Sequence, residues 1–147
     1  MSDVAIIVCP NCATANRLPH ARLAQAPKCG RCKQPLFSGA PVEVNMAEFD
    51  KHVGTGSIPV IADFWASWCG PCRMMAPAFA AAATELEPGV RFVKIDTEAH
   101  QALAARYNIR SIPTLILFAN GREVGRQAGA LDRASIIRWV RTSISPR

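Results

Sequence analysis

Val60-Ile61-Ala62-Asp63-Phe64-Trp65, running through Ala66-Ser67-Trp68 into Cys69-Gly70-Pro71-Cys72, is the stretch that decides how the rest of the chain is read. Its first six residues are almost continuously apolar, the pattern of a short strand buried on both faces of a sheet. A helical pattern runs from Cys69 to about Leu86, with Pro71 in the first turn, where a missing N–H costs nothing. A strand that delivers a cysteine to a helix start places its sulfur beside unpaired backbone N–H groups and the positive end of the helix dipole, which favours thiolate. Two thiols three positions apart can close a disulfide inside one turn, so Cys69 and Cys72 form a candidate two-electron switch. The spacing alone also fits zinc sites and structural disulfides; the address after a buried strand is what points to redox chemistry.

Working outward, Val42 and Val44 flank Glu43 as a brief strand, and Asn45 with Glu48 opens a helix towards His52 that Gly54, Gly56 and Pro59 break. Downstream, Pro77 falls inside the long helix and is expected to bend it, and Pro88-Gly89 ends it. Val90 to Asp96 reads as a second buried strand, Glu98 to Tyr107 as a helix and Thr114 to Ala119 as a third apolar strand. Asn120-Gly121 predicts a hairpin turn into Glu123–Ala128, and Asp132 caps a last helix with Ile136, Val140 and Ile144 on one stripe. The order β-α-β-α-β-α-β-β-α predicts an α/β fold with a mixed central sheet and helices on both faces.

The first part of the chain has different chemistry. Cys9-Pro10-Asn11-Cys12 and Cys29-Gly30-Arg31-Cys32 are separated by a segment with few large apolar residues. A chain of under about 40 residues seldom folds on apolar burial alone, and two Cys-x-x-Cys knuckles supply four soft ligands for tetrahedral zinc. Val8 and Leu36-Phe37 are expected as short strands beside the metal. Two disulfides, or an auxiliary redox pair, are the alternatives. His20, between the knuckles, is read as a surface residue because four thiolates already complete a tetrahedron. The expected division is a four-cysteine zinc-ribbon module over residues 1–38 and the α/β domain over residues 39–147, joined by the short Ser38-Gly39-Ala40-Pro41 link.

The 147 residues are half apolar and 19% charged, so a packed core is expected. The formal charge of +6 falls to about +4 if four thiolates hold one zinc, and the arginines are scattered, so nucleic acid is not an expected partner. Val4-Ala5-Ile6-Ile7-Val8 is too short for a signal core and follows Asp3, and no segment approaches about 18 apolar residues, so a cytoplasmic protein without membrane contact is expected.

Asp63-Phe64-Trp65-Ala66-Ser67-Trp68-Cys69-Gly70-Pro71-Cys72, Arg110-Ser111-Ile112-Pro113-Thr114, Asn120-Gly121 and Gly129 occur in the order seen in the thioredoxin family, which the chain closely resembles from Val42 to Arg147. With the four cysteines in front, it looks like the zinc-binding second-thioredoxin branch of that family in bacteria. Ser111 departs from the family's frequent glycine. The resemblance implies a thioredoxin fold and a cytoplasmic protein-disulfide reductase. It would be monomeric, carry one zinc and no bound flavin or nicotinamide, act on oxidised protein substrates, and be re-reduced by thioredoxin reductase, an NADPH-dependent flavoprotein. The rival expectations are a zinc-dependent client-binding or chaperone module with incidental redox activity, and a thiol oxidant or isomerase.

In that reading Cys69, expected to be exposed, is the nucleophile, and Cys72, one turn deeper, resolves the mixed disulfide. Asp63 interrupts an apolar strand, where an unpartnered carboxylate is costly, and the resemblance implies that it accepts the Cys72 proton; facing solvent or satisfying a core hydrogen bond is the alternative. Lys94 is read as its ion-pair partner or as a plain surface lysine. The resemblance further implies a cis Ile112–Pro113 peptide and an apolar substrate rim of Trp68, Gly70, Ile112 and Gly129, with Pro71 biasing the pair towards reduction. Phe64 and Trp65 are expected in core or sub-site packing, Met74 and Met75 in helix packing, and His52 and His100 on solvated helix faces.

Overall fold

The computed structural model describes residues 3–144. A two-stranded antiparallel ribbon, β1 (Val4–Val8) and β2 (Ala15–Pro19), comes first. It is followed by β3 (Val42–Glu43), α1 (Met46–Asp50), β4 (Val60–Trp65), α2 (Gly70–Leu86), β5 (Arg91–Asp96), α3 (Gln101–Arg106), β6 (Thr114–Ala119), β7 (Arg122–Ala128) and α4 (Arg133–Ile144). The last five strands form one sheet in the order β3-β5-β4-β6-β7, parallel across β3, β5 and β4 and antiparallel from β4 to β7. This is the mixed sheet expected from the order of elements.

Alternation along the central strands divides two cores. Ile61, Phe92, Leu115 and Leu117 pack with Met75 and Phe79 of α2 and Ile136 and Val140 of α4 on one face. Ala62, Phe64, Val93, Ile95, Ile116 and Phe118 pack with Phe49 of α1 and Leu103 of α3 on the other. β4 is therefore covered on both sides, which is why its sequence is apolar almost throughout. The local signals work as read. Asn45 and Glu48 form a reciprocal capping box, Asn120 and Gly121 both adopt positive φ in the β6–β7 turn, and Asp132 Oδ1 accepts from the Ser135 N–H. α2 continues through Pro77 to Leu86.

Three expectations change. α3 begins at Gln101 rather than Glu98, because Asp96 Oδ1 takes the N–H groups of Glu98 and Ala99 in a turn. Leu36-Phe37 is irregular, and the second ribbon strand is β2. The ribbon also owns a small core of Ala5, Ile7, Leu18 and Leu36 around its cysteines, completed by Ile58 from the segment before β4.

That shared core seats the ribbon at the N-terminal ends of β4 and β5. Ile6 exchanges hydrogen bonds with Ser57, its N–H donating to Ser57 Oγ at 2.7 Å and its carbonyl accepting from the Ser57 N–H at 2.8 Å. Arg91, the first residue of β5, is 2% exposed and donates to the carbonyls of Val8 (3.1 Å) and Leu36 (2.9 Å). Its guanidinium also lies 3.3 Å from Glu87 and over the Phe37 ring. Glu87 in turn accepts the Gly39 N–H, and Thr84 donates to the Gly39 carbonyl, so the link between the two parts is tied to α2. His52, expected on a solvated face, is 4% exposed in the π turn after α1. Burial, with Arg91 adding to it, pushes its imidazole down to about 3, which keeps it neutral. Its burial follows from β1 packing against this turn, which the Ile6–Ser57 hydrogen bonds hold in place.

Candidate active site and metal centre

Ala66 to Cys69 carry the chain from the end of β4 to the start of α2, with Cys69 as the N-cap residue. Cys69 Sγ accepts the Cys72 N–H at 3.2 Å, so the sulfur sits where the first turn of the helix offers unpaired donors. Cys69 and Cys72 are joined as a disulfide. Cys72 lies on the stripe of α2 that faces the sheet, together with Met75, Phe79, Ala82 and Ala83. Cys69 is not exposed as expected but 4% accessible, nearly as covered as Cys72. Its sulfur is turned inward to Cys72, with Ala66 and Ile112 packed around the pair and the Ile112 carbonyl 3.6 Å away.

Trp68, by contrast, is 64% exposed, and Gly70 and Pro71 are also on the surface. The Ile112–Pro113 peptide is cis, Pro113 is buried, and its carbonyl accepts the Gly129 N–H, with Gly129 at φ +95°. The structure therefore sets Trp68, Gly70, Pro71 and Ile112 beside the dithiol, with Pro113 next to Ile112 in the chain and Gly129 hydrogen-bonded to Pro113. A cleft beside it is lined by Trp68, Thr97, Ala104, Ile109 and Ile112, with Arg110 and Ser111 at its rim. Of the two methionines expected in helix packing only Met75 is buried, while Met74 is 77% exposed.

Asp63 is fully buried on the α2 side of the sheet, in the layer that also contains Cys72, and neither carboxylate oxygen has a hydrogen-bond partner. Burial pushes its carboxyl up to about 7; the Lys94 charge opposes that rise and the Glu43 charge adds to it. Such a group exchanges its proton near neutrality. Lys94 is the direct register neighbour of Asp63, yet it is not its ion-pair partner. Its ammonium lies 4.0 Å from Glu43 on the opposite neighbouring strand and 4.6 Å from the centre of the Trp65 ring. Sequence reading missed Glu43, Glu87 and Arg91. Arg91 carries a cue related to that of Asp63, a charge set into an apolar run, here at the strand's first residue, and its i,i+4 spacing from Glu87 was the cue to the pair.

At the other end of the sheet, the sulfurs of Cys9, Cys12, Cys29 and Cys32 lie within 4.8 Å of one another, with Cys9–Cys32 and Cys12–Cys29 at 3.6 Å. Four sulfurs about 2.3 Å from a tetrahedral ion stand about 3.8 Å apart, so the cluster fits a four-thiolate metal centre. The N–H groups of Asn11 and Cys12 point at Cys9 Sγ, that of Arg31 at Cys29 Sγ, and the side-chain amides of Asn11 and Asn16 at Cys32 and Cys29. Backbone donation from Cys32, with Arg31 and Asn16 adding to it, brings the Cys29 thiol down to about 6, as metal ligation requires. Burial raises Cys9 to about 11, a proton that a bound cation would displace. None of the four is in a disulfide, so the two-disulfide alternative is not what the structure contains.

Residues 40–142 match the family described as Thioredoxin. The chain belongs to the thioredoxin family. Residues 8–34 match a zinc-ribbon family described as Thioredoxin 2, N-terminal. Thioredoxin C-3 of Corynebacterium nephridii is 47% identical over 92% of this chain and 92% of its own length. The thioredoxin of Haemophilus influenzae is 40% identical over 70% of this chain and 96% of its own. A solved structure of a mutant thioredoxin from Halobacterium salinarum superposes with a TM-score of 0.68 at 32% identity, covering 76% of this chain and 96% of that one. As a member of this family the chain is a thiol-disulfide oxidoreductase, and its four clustered cysteines are a metal-binding ribbon in front of the thioredoxin unit. Among the described residues no helix is long and apolar enough to cross a membrane.

Proposed function

We propose that the chain is a cytoplasmic protein-disulfide reductase that cycles the Cys69/Cys72 pair between dithiol and disulfide. The observation that carries this is the disulfide closed at a helix start, on the same side of the sheet as a buried, unpartnered carboxyl that titrates near neutrality. In the reduced chain the Cys69 thiolate, held by first-turn N–H groups, attacks one sulfur of a substrate disulfide. The bond to the second substrate sulfur breaks, and that sulfur leaves as a thiolate. Ionised Asp63 then takes the Cys72 proton, directly or through a water, and the Cys72 thiolate attacks Cys69 Sγ. The first substrate sulfur leaves in turn, so the substrate has gained two electrons and the chain has lost them.

Trp68, Gly70, Pro71, Ile112, Pro113 and Gly129 form the surface on which an extended substrate segment lies, with the Ile112 backbone offering β-like pairing. The oxidised chain returns to dithiol by the reverse exchange with an NADPH-dependent flavoprotein reductase, and holds no flavin or nicotinamide of its own. The ion in the ribbon is one zinc per chain, held by Cys9, Cys12, Cys29 and Cys32 as a folding element. The functional division is the ribbon at residues 1–38 and the thioredoxin unit at 39–147, in a monomer. Reduction of insulin in the presence of dithiothreitol tests the reading: Cys69→Ser abolishes the catalysed rate, and a wild-type rate in that variant rejects it. A Cys69/Cys72 potential well above that of a reducing carrier would instead identify a thiol oxidant or isomerase. Elemental analysis of freshly purified, reduced protein should find one zinc per chain, and its absence would reject the metal assignment.

A further inference from the structure

Three neighbouring strands place charged residues in one row. Glu43 of β3 is opposite Lys94 of β5, and Lys94 is opposite Asp63 of β4. Directly paired residues share a sheet face, so all three side chains rise on the α2 side, where Trp65 follows Asp63 two residues along β4. Lys94 stands between two carboxyls. It leans outward to the half-exposed Glu43, at 4.0 Å, and across the Trp65 ring, while both Asp63 oxygens remain unpartnered.

We propose that Glu43 is a positioning residue for Asp63: by holding Lys94 at the sheet edge, it keeps a counter-charge off the buried carboxyl and so preserves its hold on a proton. Among the described residues, other elements do not offer Asp63 an alternative cation. The residue opposite it on β6 is Leu115, and the sheet-facing stripe of α2 presents Cys72, Met75 and Phe79. Around Glu43 the charged or titratable neighbours are Lys94, Asp96 and His100. Of these, only Lys94 also acts on Asp63. Freed from Glu43, the flexible lysine stem can swing inward along the row to pair with Asp63. A carboxyl that gains such a neighbour ionises at lower pH and becomes a weaker acceptor for the Cys72 proton. The functional meaning of the row rests on the proposed role of Asp63 as that acceptor.

The test follows the Asp63 carboxyl carbon by NMR in the oxidised full chain labelled with 13C-aspartate, the resonance being assigned by its loss in Asp63→Asn. Glu43→Gln, at a site exposed enough to tolerate the change, lowers the Asp63 midpoint by about one pH unit. Glu43→Asp, which keeps the charge, restores more than half of the shift, and Lys94→Gln raises the midpoint. In the Lys94→Gln background the Glu43→Gln shift shrinks to under about a third, because the route through the lysine has gone. An undiminished shift there means direct repulsion between the two carboxyls and overturns the proposal, as does an unchanged midpoint in Glu43→Gln alone. The kcat/KM profile against pH for insulin reduction separates the two ideas. If the midpoint moves and the profile does not, the acceptor role of Asp63 fails while the positioning by Glu43 stands.

Discussion

Replacing Asp63 with asparagine keeps the shape of the protonated carboxyl and removes its titration. In the folded chain the carboxyl ionises near pH 7, whereas in the unfolded chain it ionises at about 3.9. The folded state therefore binds the proton more tightly. Between those two values, wild-type stability falls by about 1.4 kcal/mol for each pH unit. Below about pH 4 both states are protonated and the variant should match wild type. Above about pH 7 both are ionised, and the full penalty of about three units, or about 4 kcal/mol, separates the two proteins. Urea unfolding of the oxidised chain at half-unit steps from pH 4 to pH 9 measures this difference, and contributions from other groups cancel in the comparison. The expected curve is flat, then rising through the window between the two midpoints, then flat again with the variant more stable. A difference that does not change with pH, or a wild type more stable than Asp63→Asn at pH 8, would refute the burial argument.

Arg91→Leu leaves the buried Glu87 without its counter-charge and two ribbon carbonyls without the Arg91 donor, so thermal unfolding should show a loss of about 3 to 5 kcal/mol, with β1 and β2 amides exchanging first. Gly56→Ala is expected to cost about 1 to 3 kcal/mol although φ is an ordinary −64°, because the new Cβ would stand 2.7 Å from the His52 carbonyl oxygen; an unchanged melting curve would show that the turn yields. Trp68→Ala should change stability by less than about 0.5 kcal/mol but lower kcat/KM for protein disulfides about tenfold, with a smaller loss on a small-molecule disulfide.

Much of this was legible because local rules and tertiary packing agree. The run at β4 is apolar because two helical layers cover it, the Asn45/Glu48 box caps α1, and the Asn120-Gly121 turn closes the β6–β7 hairpin. Four cysteines in two knuckles announced their own cluster. What sequence did not disclose is which way long side chains lean. Lys94 had two carboxyls in reach, and only the register of β3 and the position of the Trp65 ring decide between them. His52 looked solvated because its burial depends on a strand more than 40 residues earlier, β1, lying across its turn. Cys69 was expected outside by virtue of its place at a helix start, a rule about backbone that does not know when the sulfur is turned into a disulfide.

The clasp at Arg91 bears on how such a chain can be altered. A shortened protein lacking the ribbon would inherit a guanidinium facing vacated carbonyl positions and a neutral imidazole opened to water. Conversely, fusing this ribbon to a thioredoxin without those side chains would give two units joined by a tether and little else. The transplantable piece is thus not residues 1–38 but those residues with Arg91, Glu87, Ser57 and Gly56, a set scattered through the sequence that would have to change hands together.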